Sequence, residues 1–344
     1  MKFPETIDSE TLLEDMLSEP GTGLVEMMKR LDGDIMILGI GGKMGITLGR
    51  QAVNAIKAAG VGKKVIGVSR FSDIEGRKKL ERWGIETISC DLLDQDAAKA
   101  LPEVKNVIFM AGRKFGTEGS EELTWAMNTI VPGYVGNHFR KSRIVVFSTG
   151  CVYPLVNAGT CGCTEHVSPA PVGEYSQSCL GRERVFGHFA KACGVETLLL
   201  RLNYAIDLRY GVLHDIGSQV WNSQPVNNTV GHFNVLWQGD ANCYALLALE
   251  LCASPAAILN ITGPEIVSVE YIAETFGRLM NKAISYTGVS AGKCYLNNAA
   301  KAFRLLGYPR ISLEQMILWQ AQWLMQGGGS LGKPTHFEVN NGKF

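Results

Sequence analysis

The residues with the clearest chemical use in this chain are glycines. Gly39-Ile40-Gly41-Gly42-Lys43-Met44-Gly45 follows the apolar run Ile35–Leu38 directly and leads into the amphipathic stretch Ile46–Ala59. Glycines at 39, 42 and 45 give the spacing G-x-x-G-x-x-G between an expected strand and an expected helix. A strand brings the backbone to a tight turn, and glycine lets that backbone come close to a pyrophosphate. The helix N-terminus then offers free N–H groups and the positive end of its dipole. Residues 39–45, with Gly41, Lys43 and Met44 between the spaced glycines, are therefore the expected dinucleotide cradle. A purely structural strand-to-helix turn is the alternative.

The ends of the next two strands refine that expectation. Val65-Ile66-Gly67-Val68 ends in Ser69-Arg70 and not in a carboxylate. An acid there would bind the adenosine ribose hydroxyls of NAD, whereas a serine followed by arginine accommodates a 2′-phosphate and lets the guanidinium stack on adenine. NADP is accordingly favoured over NAD. The third strand ends Cys90-Asp91-Leu92, where Asp91 could accept from the adenine amino group, or could simply be an exposed acid at a strand end.

Elements able to position these residues alternate regularly. Strands are expected at 34–39, 64–69, 85–90, 106–111, 143–149 and 196–202, with helical segments between most of them, which predicts a parallel, doubly wound α/β sheet. A dinucleotide-binding domain is expected over 34–202 and 232–263. A smaller, discontinuous C-terminal lobe takes 203–231 and 264–326, with helices at 268–281, 296–306 and 312–326. Two short helices around Pro20-Gly21 form a preface over 1–33, and a glycine-rich link leads to an arm over 327–344. Preface and arm are expected to reach over a neighbouring subunit.

Composition narrows the class. In 344 residues, 33 basic and 33 acidic side chains balance, so no global field draws the chain to nucleic acid or to an anionic membrane. The acidic N-terminus does not read as a signal peptide, and Tyr244–Leu259 is too short and too interrupted to span a bilayer. Nine scattered cysteines read as reduced thiols in the cytoplasm. Cys151, Cys161, Cys163 and Cys179 lack the spacing of a closed zinc site, so no metal is expected. His166 reads as a solvated loop histidine, and Trp221, Trp237, Trp319 and Trp323 as packing for the second lobe.

Further along, Ile144–Phe147 ends in Ser148-Thr149-Gly150-Cys151-Val152-Tyr153, and Glu174-Tyr175-Ser176-Gln177-Ser178-Cys179 opens a helix that runs through Glu183. With Gly39/Gly42/Gly45, Asp91, Ala111-Gly112, Asn128, Asp240 and Asn260-Ile261-Thr262-Gly263, these residues resemble the extended short-chain dehydrogenase/reductase family, of NAD-dependent epimerase/dehydratase type. The resemblance runs from about Asp34 to Lys282. It implies a Rossmann fold and oxidation, reduction or epimerisation at a hydroxyl or keto group of a sugar-like small molecule. It places Tyr175 as acid/base, which also touches the cofactor, and Thr149 as its hydroxyl partner. Leu92, Ala111 and Gly112 join the cofactor contacts. Arg113, Lys114, Cys151, Tyr153, Arg182 and Asn203 are the substrate-side candidates. Self-association is implied through the helices near 119–140 and 175–191, giving a homodimer or higher oligomer.

One position departs from the pattern. Four residues after the tyrosine the family carries a lysine that binds the ribose and lowers the tyrosine pKa; here stands Cys179. An ammonium ~5 Å away at an effective dielectric of ~20 contributes roughly 3 kcal/mol, about two pKa units. Arg182, Lys114 and Arg113 are the candidate substitutes. A catalytically silent, redox-sensing dinucleotide binder is the alternative function.

Overall fold

The computed structural model describes residues 3–114, 119–290, 292–333 and 335–339; the end of the expected arm, 340–344, lies outside them. Seven parallel strands form the central sheet: β1 (Ile35–Leu38), β2 (Val65–Ser69), β3 (Glu86–Ser89), β4 (Asn106–Phe109), β5 (Arg143–Thr149), β6 (Thr197–Leu202) and β7 (Ala257–Ile261). Their spatial order is β7-β6-β5-β4-β1-β2-β3. β1 pairs in register with Val65–Val68 on one side and with Asn106–Phe109 on the other. The order therefore reverses between β1 and β4, which opens a crevice at the carboxyl ends of those two strands.

Burial on both faces explains the strand sequences. Ile35, Met36, Ile37 and Leu38 are all fully buried, as a strand covered by helices on both sides requires. One face packs on α1 (Glu10–Leu17) and α2 (Thr22–Arg30) of the preface only in part: Leu24, Met27 and Met28 of α2 join Leu48 and Ala52 of α3 (Gly45–Ala59) over the sheet. Ile7, Leu13 and Leu17 instead enter the core of the second lobe with Trp237 and Trp319. Only β3, at the edge, is polar and partly exposed, which suits an unpaired edge.

The apolar residues of the preface pack within this chain. They are buried against its own two cores, and Trp319 Nε1 donates to the Pro4 carbonyl at 3.1 Å. The arm behaves in the same way through residue 339: Phe337 is buried edge-on to Phe233 with ring centroids 6.1 Å apart.

The stretch 232–237, expected in the dinucleotide-binding domain, sends Phe233, Val235 and Trp237 into the second lobe's core and divides into two short strands, His232–Phe233 and Leu236–Trp237. Asn234 interrupts it by turning inward, donating to Glu265 O and accepting from Asn297 N, both at 2.9 Å. Trp237 and Trp319, 5.5 Å apart, and Trp323 pack this lobe as read from the sequence. Among the described residues no helix is long and apolar enough to cross a membrane, and no group of three or more His, Cys, Asp or Glu side chains gathers as a metal site would.

Candidate active site

The glycine turn is built from three glycines with three different duties. Gly39 sits at φ +92°, and a Cβ there would come 2.7 Å from the Ala111 nitrogen, so this residue lets β1 and the end of β4 meet. A Cβ on Gly45 would approach Ile40 O at 2.4 Å, so Gly45 closes the turn onto α3. Gly42 is exposed, and a Cβ there would meet only Gly39 O, at 3.3 Å. Its missing side chain therefore clears space on the ligand side and not inside the protein.

Gly39, Gly42, Lys43, Met44 and Gly45 form one wall of a cavity of about 310 Å³ at the crevice. Gly112, Arg113 and Lys114 after β4 form the second wall. Thr149, Cys151, Tyr175, Arg182 and Asn203 close the third. Gly41 and Ser69 border a separate small cleft on the other side of the turn. Arg70 and Asp91 are exposed at the ends of β2 and β3, outside both clefts, while Leu92 and Ala111 are buried beneath the site. One Asp91 oxygen accepts from Leu93 N at 3.0 Å, which caps the local turn.

Tyr153 does not reach the cavity. It is 1 % exposed, its hydroxyl donates to Asn260 Oδ1 at 2.9 Å, and the Arg201 guanidinium lies 4.6 Å from its ring centroid. Arg201 in turn holds Glu183 through two hydrogen bonds of 2.9 and 2.6 Å, with Ser148 Oγ donating to the same carboxylate at 2.6 Å. This buried network pins the helix α4 (Gly173–Cys193) to β5 and β6, and Tyr153 lies behind the cavity lining with it.

α4 carries the reactive face. Tyr175, Cys179 and Arg182 fall on one side of it, as spacings of four and three residues require. Burial raises the Tyr175 hydroxyl well above its ordinary pKa; the thiols of Cys179 and Cys151 add to that, and the Arg182 cation opposes it. The Tyr175 and Cys179 side chains lie close enough to shift each other's titration. Thr149 Oγ1 accepts from Cys151 N at 3.2 Å, which fixes its orientation and leaves its proton to donate to a ligand.

Two cations approach this group. Lys114 lies close enough to the Cys151 and Cys179 sulfurs to feel both, and burial lowers its pKa. Arg182 is 6 % exposed, donates from Nη1 to Phe147 O at 2.8 Å and from Nη2 to Asn128 Oδ1, and has a buried Nε with no partner. Among the described residues it meets no carboxylate. Asn128 is turned inward by a π-helical turn, Ala126–Ile130, and also clamps the Arg113 backbone through its N–H and C=O, both at 3.1 Å. A Cβ on Gly112 would stand 2.2 Å from Arg182 Nη2, so glycine there admits the guanidinium to the cavity wall.

Several lining residues escaped the sequence reading. Tyr204, at φ +42°, and Tyr210 face the cavity from the second lobe, and Thr335 arrives from the C-terminal arm. Lys43 Nζ stands 3.3 Å from the centroid of the Tyr210 ring. Nothing in the local sequence marks these residues, apart from Gly211 beside Tyr210, which adopts φ +127°.

No protein-family model matches the sequence, and the curated proteins include no match to it. Solved structures do match. UDP-glucuronic acid 4-epimerase from Bacillus cereus, solved with NAD, superposes with a TM-score of 0.70 at 18% identity, over 85% of this chain and 99% of that one. UDP-glucose 4-epimerase from Thermotoga maritima, solved with UDP-glucose, gives 0.69 at 18% identity over 86% and 99%. The Thermus thermophilus UDP-glucose 4-epimerase with NAD gives 0.67 at 17% over 84% and 97%.

Proposed function

From a chain that shares the Rossmann-type fold of these epimerases, we propose an NAD(P)-dependent oxidoreductase or epimerase acting on a hydroxyl or keto group of a sugar or sugar-derived molecule. The observation that carries this reading is the meeting of the Tyr175 and Thr149 hydroxyls in one cavity with the open face of Gly42. The cradle fits the dinucleotide: Gly42 leaves room for a diphosphate where the first turn of α3 offers its N–H groups. Ser69 and Arg70 would take the adenosine ribose, favouring its 2′-phosphorylated form, and Asp91 and Leu92 the adenine. When bound, the nicotinamide gives or accepts the hydride.

The chain's own residues handle the proton. Thr149 donates to the substrate oxygen, and Tyr175 passes a proton to or from that same oxygen. Because burial holds Tyr175 protonated at neutral pH, the site as it stands is set to donate, the direction of keto reduction. For the reverse direction the phenolate needs a nearby cation. Arg182 supplies a fixed one, in place of the lysine that the resemblance implies at position 179. The raised Tyr175 pKa equally suits the alternative of a silent cofactor-binding sensor.

Turnover separates the two. Reduction or oxidation of sugars and sugar acids followed by nicotinamide absorbance should appear in the wild type and vanish in Tyr175→Phe, with cofactor affinity by calorimetry retained. Cofactor binding with no turnover of any such compound would establish the sensor instead. Leu123 and Ile130, exposed on the rod 121–138 beside α4, support pairing of two copies there. All nine cysteines are unpaired, which supports a reducing compartment such as the cytoplasm.

A further inference from the structure

Lys43 leaves the glycine turn and lines the cavity, ending with Nζ over the Tyr210 ring of the second lobe. An aromatic face returns part of an ammonium's lost hydration and none of its counter-charge. Among the described residues no carboxylate lies within ion-pair distance of Lys43. The two acids that influence it are engaged elsewhere. Asp207 accepts from Arg209 N at 2.7 Å and Arg209 Nη2 at 3.1 Å, and Asp215 accepts from Thr335 N at 2.8 Å and Thr335 Oγ1 at 2.5 Å. Lys43, although part of the glycine turn, is thus a cation in the cavity wall that packs on a second-lobe ring and has no carboxylate within ion-pair distance among the described residues.

Size is limited from the opposite wall. The C-terminal arm lies across the second lobe: Ser330 Oγ meets His214 Nε2 at 3.1 Å, Leu331 N donates to Arg209 O at 3.0 Å, and Phe337 is buried. Thr335, clamped on Asp215 between these anchors, forms part of the cavity wall. The resulting volume, about 310 Å³, stands at the small end of ligand clefts, which run from ~300 to ~1,000 Å³, and the nicotinamide end of a cofactor must share it. What remains within the cavity matches one sugar-sized molecule.

We propose that the substrate is a monosaccharide-sized anion, carrying a carboxylate or a phosphate monoester received by Lys43, and not a nucleotide-linked sugar. This rests on the reading above of Tyr175 and Thr149 as the reacting face. It separates this chain from the structural neighbours named with UDP-sugars, although they share its fold.

Calorimetry on the protein saturated with cofactor, using glucuronate, a glucose monophosphate, glucose and UDP-glucose as probes, tests it. At least one of the two charged monosaccharides should bind about tenfold or more tighter than glucose, as a charge-assisted contact provides. Which of them does so separates carboxylate from phosphate recognition. Lys43→Met should reduce that charged-to-neutral ratio about tenfold, and Lys43→Arg should retain most of it. Binding of UDP-glucose tighter than of either anion, binding of neither anion, or an unchanged ratio in a folded Lys43→Met protein overturns the proposal. Saturation with cofactor and loss of turnover in Tyr175→Phe are read separately, so a failure of the underlying enzyme reading shows itself independently.

Discussion

Replacing Arg182 by methionine isolates the charge proposed to act on Tyr175 where the resemblance implies a lysine at position 179. The Arg182 cation acts on Tyr175; a unit charge acting over ~6 Å at an effective dielectric of ~20 contributes roughly 3 kcal/mol, about two pKa units. The sign follows from the charges: the cation favours phenolate, so its removal raises the Tyr175 pKa further in the direction burial already pushes it. In oxidation, where Tyr175 must accept a proton, the alkaline rise of the pH–rate profile should move up by about two units, and the rate below it should fall about 100-fold. Reduction uses the protonated hydroxyl and should change far less. Stability should respond differently. Arg182 is buried without a carboxylate and with an unpartnered Nε, so methionine removes a desolvation cost while giving up its hydrogen bonds to Phe147 O and Asn128 Oδ1. The net change in urea denaturation should lie within about 1 kcal/mol of wild type. Adding Cys179→Lys to the methionine variant should bring the profile back, because that position also faces Tyr175. An unshifted profile in Arg182→Met, or a loss of more than about 3 kcal/mol of stability, would refute the assignment of this residue as a charge donor held at a structural cost.

The glycine turn offers a paired contrast. Gly42→Val should abolish cofactor binding by calorimetry with the melting temperature nearly unchanged, since its new side chain would meet one carbonyl and otherwise fill the cradle. Gly45→Ala should instead lower stability by about 1–3 kcal/mol, as its Cβ would strike Ile40 O, and equal behaviour of the two variants would contradict the separate duties assigned here. Arg70→Ala should weaken NADP binding about tenfold and NAD binding little, and equal losses would remove the proposed preference.

The sheet was legible because its strands are buried on both faces, so runs such as Ile35–Leu38 and Ile144–Phe147 announce themselves without any knowledge of their partners. The glycine turn was legible for a related reason: its constraints act between residues a few positions apart, as with Gly45 against Ile40. Tyr175, Thr149 and Arg182 could be placed on one side of the cavity because helical and strand periodicity fixes which way they face. The packing of the preface was not legible because amphipathic stripes in α1 and α2 say that a face must be covered and not what covers it; Leu13 and Leu24 find their partners in two different cores of the same chain.

By itself the sequence determined the doubly wound order of elements, the glycine turn 39–45 and the presence of Cys179 four residues after Tyr175, since each is a matter of local periodicity or of residue identity. Only the tertiary structure decided that Tyr153 lies behind the cavity lining and Tyr210 within it. It alone brought Lys43 to the ring of Tyr210, 167 positions further along the chain, and carried Thr335 back to Asp215. Those contacts are chosen by the shape two lobes leave between them once both cores have closed, and no spacing in the chain records that shape.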